Sequence, residues 1–325
     1  MAYPTQPLIR SLFFMPANRA DLVRKLARAA ADCSVLDLED GTPPDDKARA
    51  RAVLAESVAA ARADGYTGRL LVRVNEPASP HYPADIEAAL DSGADGVLIP
   101  KLESREQLFP ALHRLHQLGD QGDGKWLAAG IETARGVLNI ESLCAPEARV
   151  AMVYFGAEDF AADMGGQRTG EGNEVLYARS RVVLAARAYG VIAIDQAVAD
   201  VRNDELYRRD AQVGRNLGYH GKMCVIPRQL QVCHEVFSPG EAAVAAARRT
   251  LAAYAEAVAR NIGTIEFEGK LIDGPMLKRA EAIVAMAEQI AGAAPATANA
   301  GAGTKPKATD SAAPTAHHSP AKGAA

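Results

Sequence analysis

LAAGIETARGVLNIESLCAPEARVAMVYFGAED, residues Leu127–Asp159, holds two short apolar runs that each end in carboxylates. Leu127–Ile131 leads into Glu132, and Val150–Phe155 leads through Gly156 into Glu158 and Asp159. Between them Thr133–Leu143 carries a helical pattern. Strand, helix, strand predicts a parallel pair joined by a right-handed crossover. Parallel neighbours end on the same rim, so Glu132 and Asp159, 27 positions apart, are expected to converge there. Two ionised carboxylates at one rim repel unless a cation lies between them, and hard oxygen ligands suit Mg²⁺ or Mn²⁺. The plainer reading is that each acid caps the helix after it or pairs with an arginine.

The same alternation extends in both directions. Strands are expected at Leu12–Met15, Ser34–Leu38, Leu70–Val74 and Gly96–Ile99, then at the pair above, then at Val191–Ile194 and Lys222–Ile226. Helical patterns follow them at Arg19–Ala31, Asp45–Ala63, Pro83–Ser92, Ser104–Leu118, Thr133–Leu143, Glu174–Tyr189, Asp204–Leu217 and Pro227–Phe237. Eight strand-plus-helix units within about 240 residues predict a closed (β/α)₈ TIM barrel, since an open doubly wound sheet usually uses fewer. Residues 1–240 are thus expected to form the barrel. Residues 241–292 form a small helical appendage, with a helix over Glu241–Arg260, an extended piece over Ile265–Pro275 and a helix over Met276–Ile290. Residues 293–325 turn to Ala, Pro, Thr, Gly and Ser, a composition expected to be disordered. A metal site on His317 and His318 within that tail is not expected.

At 325 residues and 48% hydrophobic the chain can bury a large core. A net charge of −4 gives no electrostatic case for nucleic acid or an anionic membrane surface. No apolar run is long enough to span a bilayer. The opening MAYPTQPLIRSLFF lacks a charged region before a long apolar segment, so no signal peptide is expected and a cytoplasmic location is. Cys33, Cys144, Cys224 and Cys233 show no paired CxxC spacing and read as reduced packing residues.

In a barrel, chemistry belongs at the C-terminal strand ends. Those positions are unusually polar here: Asp37, Glu39 and Asp40, then Arg73 and Asn75, Lys101, Glu132, Glu158 and Asp159, and Asp195. Arg73 offers a fixed charge and planar donors suited to a carboxylate or an enolate oxygen. An ion pair with Glu39 is an equal expectation, and the two roles can coexist. Lys101 after Pro100 could form a Schiff base, but Glu103 and the metal candidate favour a charge partner in the wall. No dinucleotide or P-loop glycine motif occurs, and no motif marks a serine or cysteine nucleophile. Gly165, Gly166, Gly170 and Gly172 read as a flexible loop.

Several stretches together resemble the citrate lyase β-subunit/malyl-CoA lyase (HpcH/HpaI aldolase) family. They are RSLFFMPANR (Arg10–Arg19), LDLEDGTPPDDKARAR (Leu36–Arg51), LVRVN (Leu71–Asn75), IPKLES (Ile99–Ser104), IETARGVLN (Ile131–Asn139), GAEDFAADMG (Gly156–Gly165), YARSRVVLAARAYG (Tyr177–Gly190) and EGKLIDGPMLKRA (Glu268–Ala280). The resemblance implies a TIM barrel, bound Mg²⁺, an acyl-CoA thioester substrate and a homotrimer or larger assembly such as a hexamer. Position by position, Glu132 and Asp159 are similar to the family's metal ligands. Arg73 resembles the arginine that holds the thioester or enolate oxygen, with Glu39 beside it in the catalytic set. Phe14, Arg19 and Lys25 stand where the family contacts the CoA nucleotide, and Glu132 also faces the substrate. Asp273 resembles an acid–base aspartate delivered to an adjacent subunit. One departure is plain: GKMCVIP (Gly221–Pro227) places Ile226 where the family usually has histidine, which puts the usual substrate in doubt.

The activity implied is reversible Claisen cleavage of a β-hydroxyacyl-CoA to acetyl-CoA, or a homologue, and glyoxylate or pyruvate. The alternatives are a metal-dependent aldolase on free 2-keto acids, a citrate lyase β subunit, and an acyl-CoA-binding protein without catalysis.

Overall fold

The computed structural model describes residues 7–293. The expectations for the tail, including His317 and His318, lie outside the described residues. Eight parallel strands close in sequence order: β1 (Ser11–Pro16), β2 (Cys33–Asp37), β3 (Arg69–Arg73), β4 (Gly96–Ile99), β5 (Trp126–Ile131), β6 (Val150–Phe155), β7 (Ile192–Asp195) and β8 (Gly221–Cys224). β1 pairs with β8 to complete the ring, Leu12 lying opposite Met223.

These runs become barrel strands because both of their faces are buried, and the sequence alternates accordingly. One set, Leu12, Val35, Leu71, Leu98, Ala128, Met152, Ile192 and Ile194, fills the lumen. The other set, including Phe13, Leu36, Val72, Val97, Ala129, Val153 and Ala193, packs against the helices outside. All four cysteines are buried and unpaired by disulfides.

Four expected helices are divided, among them Ser104–Leu118, which becomes a 3₁₀ turn at Arg105–Leu108 and a helix at Phe109–Gln117. Thr133–Leu143 is split into Ala134–Leu138 and Ile140–Cys144 at Asn139, whose backbone at φ −95° and ψ 6° leaves the helical region and whose side chain donates to the Glu103 carbonyl at 2.8 Å. Asp45–Ala63 becomes a 3₁₀ turn at Pro44–Asp46, then Lys47–Ala52 and Leu54–Ala63. Arg19–Ala31 becomes two single turns, Ala20–Val23 and Leu26–Ala29, closed by Ala30 in the left-handed region at φ 54°.

After the barrel, a helix over Glu241–Val258 packs against a helix over Gly274–Ala293. The expected extended piece between them is a hairpin of β9 (Ile265–Phe267) and β10 (Lys270–Ile272). Its Leu271 is 64% exposed, and Val258 and Ile262 beside it are also exposed. Among the described residues no helix is long and apolar enough to cross a membrane.

Candidate active site

The period of two that fills the lumen also builds the site, because one further step along each strand reaches the C-terminal rim. Leu12 is followed by Phe14, Val35 by Asp37, and Leu71 by Arg73. Ala128 is followed by Gly130 and Glu132, and Met152 by Tyr154 and Gly156. Strand register places Asp37 opposite Arg73 and Gly130 opposite Tyr154.

Arg73 is locked by two acids. Its Nε and Nη2 donate to the two Asp37 oxygens at 2.7 Å each, a bidentate pair, and Nη1 lies 2.9 Å from Glu39 Oε2. The guanidinium carbon stands 5.1 Å from the centre of the Phe14 ring, and Phe14 meets Tyr154 edge-on. Burial works to depress the arginine's pKa, but the bond to Asp37 and the charges of Asp37 and Glu39 together outweigh it and hold the group well above its ordinary value. Lys101 donates to Glu39 Oε1 at 2.9 Å and lies 3.5 Å from Asp159 Oδ1. Burial opposes its charge, yet the bond to Glu39 and the charges of Glu39 and Asp159 together prevail and raise its pKa, which favours the ammonium form. These ion pairs favour a charge partner in the wall over a Schiff-base lysine. The Glu39 carboxyl is itself pushed up by burial, against the pull of Arg73 and Lys101.

Glu132 is 2% exposed. Its Oε1 accepts the Tyr154 hydroxyl, whereas its Oε2 is buried with no hydrogen-bond partner. Burial, above all, pushes this carboxyl up to about 7. Two glycines make room for it. A Cβ on Gly156 would meet Glu132 Cγ at 2.6 Å and Oε1 at 2.9 Å, and one on Gly130 would meet the Tyr154 ring carbon Cζ at 2.7 Å. Asp159 stands on the first turn of the helix Ala157–Asp163, with its side chain 42% exposed towards Lys101.

Four carboxylates, Asp37, Glu39, Glu132 and Asp159, thus share a mouth with the two fixed cations Arg73 and Lys101. The excess negative charge and the orphaned Glu132 oxygen fit a divalent cation held between Glu132 and Asp159. Among the described residues no group of three or more His, Cys, Asp or Glu is arranged to hold a metal. Two protein carboxylates suit Mg²⁺ or Mn²⁺, which keep waters and take substrate oxygens for the remaining positions.

Other expected residues lie elsewhere. Arg19 is exposed and paired with Asp21 at 2.8 Å, and Lys25 is exposed beside the break after Val23. Neither is joined to the Arg73 cluster by a hydrogen bond or ion pair. Asp273 caps the final helix, with Oδ1 3.4 Å from the Met276 amide, and the chain's own fold does not bond it to Arg73, Glu132 or Asp159. Asp195 belongs to a buried network, not to the mouth: Arg179 Nε donates to it at 2.8 Å and Lys222 Nζ at 3.1 Å. Asp40 is exposed and Glu158 pairs with Arg168. Ile226 is half-buried and leads into the helix Pro227–Phe237. Sequence reasoning missed Asp37 as the partner of Arg73, and it missed Tyr154, Gly130 and Gly156. The signal was there in strand parity, since MVYFG puts Tyr154 and Gly156 on the face of Met152.

Comparisons with known proteins place the chain in a family and match its fold. The family model HpcH/HpaI aldolase/citrate lyase matches residues 10–227. A citrate lyase subunit beta-like protein of Deinococcus radiodurans is 43% identical over 280 residues, covering 85% of this chain and 96% of that protein. An L-malyl-CoA/beta-methylmalyl-CoA lyase of Cereibacter sphaeroides is 34% identical over 313 residues, covering 89% and 97%. Among solved structures, the protein CitE of Mycobacterium tuberculosis in complex with magnesium, acetoacetate and coenzyme A superposes with a TM-score of 0.70 at 29% identity, covering 86% of this chain and 98% of that one. By its matched length, its barrel and its relatives, this chain belongs to the HpcH/HpaI aldolase/citrate lyase family.

Proposed function

We propose that the protein catalyses Mg²⁺-dependent, reversible Claisen-type cleavage of a β-hydroxyacyl-CoA, giving acetyl-CoA or a homologue and glyoxylate or pyruvate. The observation that carries this reading is the orphaned, buried Oε2 of Glu132 in a mouth where Arg73 and Lys101 leave carboxylate charge uncompensated. It is supported by a relative named as a malyl-CoA/beta-methylmalyl-CoA lyase and by a solved relative that carries magnesium and coenzyme A.

Glu132 and Asp159 would hold the metal ion. When bound, Mg²⁺ supplies Lewis-acid polarisation of the hydroxyl and carboxylate oxygens of the acid half. Arg73 is oriented before substrate arrives: Asp37 fixes its plane, and hydrogens remain on both terminal nitrogens for the thioester oxygen as that oxygen becomes an enolate. Glu39, whose proton affinity burial raises, takes the hydroxyl proton as the carbon–carbon bond breaks. The electron pair of that bond passes to the thioester enolate, and Asp273 of a neighbouring copy returns a proton to its α-carbon. Exposed Arg19 and Lys25, with Phe14 inside the rim, are the groups for the CoA arm and its phosphates. An assembly of three or six copies supplies Asp273 in trans.

The test is a Mg²⁺-dependent assay on malyl-CoA, citramalyl-CoA and their methylated homologues, following release of keto acid. Asp159→Ala and Asp273→Asn run beside the wild type. Turnover that needs Mg²⁺ and collapses in both variants supports the reading. The relative named citrate lyase subunit beta-like favours a second reading, cleavage of a citryl thioester held on a carrier protein. Activity only with the carrier-bound thioester would select it, and turnover of free 2-keto acid aldols alone would overturn both.

A further inference from the structure

We propose that Lys101 is a built-in competitor for the metal, which weakens divalent-cation binding until the acid half of the substrate is present. The proposal rests on the metal reading of Glu132 and Asp159 and concerns how that site is regulated.

Three observations carry it. First, the Lys101 ammonium bridges two acids of the mouth, 2.9 Å from Glu39 Oε1 and 3.5 Å from Asp159 Oδ1. It therefore already supplies a positive charge to one of the two carboxylates that would hold the metal. Second, Lys101 has φ 47°, in the left-handed region that residues with a Cβ seldom adopt. A glycine would reach that conformation without strain, so the backbone gives no reason for lysine there, and the side chain must. Third, the remaining anchor of the site, Glu132 Oε2, has no cation or donor of its own. The ammonium therefore offsets part of the Asp159 charge and leaves Glu132 without a cation.

A divalent ion entering between Glu132 and Asp159 meets a like charge one side chain away, and it draws Asp159 from its lysine partner. Both effects weaken binding of the bare ion. A 2-oxo or 2-hydroxy acid changes this balance. Its carboxylate gives the ammonium a new anionic partner and offsets the positive charge gathered in the mouth. Metal and acid then bind better together than either alone, with Lys101 carrying the coupling. Lys101 is a positioning and regulatory group in this scheme and takes no part in bond breaking.

The test measures Mn²⁺ binding through the electron paramagnetic resonance signal of the free ion, with and without pyruvate as the probe acid. Wild type is compared with Lys101→Met and Lys101→Gly, the latter chosen because glycine accepts φ 47° if methionine impairs folding. Both variants are expected to bind Mn²⁺ about tenfold more tightly than wild type without pyruvate. Pyruvate should tighten wild-type binding about tenfold and that of the variants about twofold or less. Unchanged or weaker Mn²⁺ binding in both variants, or undiminished coupling to pyruvate, would overturn the proposal. Asp159→Ala separates the two levels of argument: if it binds Mn²⁺ as tightly as wild type, the metal assignment itself has failed.

Discussion

Gly156→Ala is the substitution whose outcome the site geometry constrains most tightly. Gly156 has φ −96° and ψ 89°, accessible to any residue, so backbone freedom does not explain the glycine. Space does. The added Cβ would stand 2.6 Å from Glu132 Cγ, 2.9 Å from Oε1 and 3.0 Å from Cδ. Carbon atoms pack at about 3.5–4 Å, so the stem of Glu132 must retreat by roughly 1 Å. It has little room to do so, because Glu132 is buried and its Oε1 is held by the Tyr154 hydroxyl. Overpacking of this kind costs about 1–3 kcal/mol of stability. The functional cost is larger, since about 1 Å of displacement in a positioned group reduces rate on the order of 10²-fold. The assay pairs urea denaturation with Mn²⁺ binding and steady-state turnover. Gly166→Ala is the control, because its added Cβ would meet nothing nearer than the Ala161 carbonyl at 3.6 Å. Gly156→Ala with wild-type metal affinity and turnover would refute the claim that the glycine exists to seat Glu132.

Two further outcomes follow from the same geometry. Arg73→Lys keeps one charge but cannot hold Asp37 bidentately and meet Glu39 as well; kcat should fall about 10²–10³-fold in steady-state assays, and a fall below threefold would contradict the oxyanion role. His220 accepts the Ala193 amide through Nδ1 at 3.0 Å, and burial lowers its pKa to about 3. The unfolded chain takes up a proton near pH 6.5 that the native state refuses, so stability falls as pH drops below that value. Between pH 7 and pH 5 wild type should lose about 2 kcal/mol relative to His220→Asn, read from urea titrations at both pH values, and a constant difference would contradict it.

The barrel was legible because parallel strands buried on both faces leave unbroken apolar runs, and the run after each turn marks the next strand. Glu132 and Asp159 were legible for a related reason, as carboxylates that end such runs on a shared rim. Tyr154 was not, because an aromatic inside MVYF reads as core until the lumen parity is fixed. Gly156 reads as a turn residue, and only the position of Glu132 reveals that its missing side chain matters. The break at Asn139 was not legible either, and its side-chain bond to the Glu103 carbonyl comes from a distant loop that the local pattern cannot anticipate. Arg19, Lys25 and Asp273 were found through resemblance, and a single chain leaves all three apart from the cluster. In the proposed reading they act on a substrate arm or across a subunit boundary, so their geometry would form only with those partners.

Charge explains why the mouth is assembled this way. Asp37 and Glu39 are committed to Arg73, and Glu39 is shared with Lys101, so these groups form a nearly neutral wall that holds the guanidinium rigid. Glu132 and Asp159 are treated oppositely. Glu132 is buried where ionisation is costly and is given one hydrogen bond, and Asp159 receives only a distant lysine. A protein selected for stability alone would have paired or replaced Glu132, because an unsatisfied buried carboxylate costs more than an apolar side chain of similar size. Retaining it is reasonable if the missing partner arrives from solution. The energy withheld from the folded state is then available to bind a divalent cation, and through that cation the acid half of the substrate.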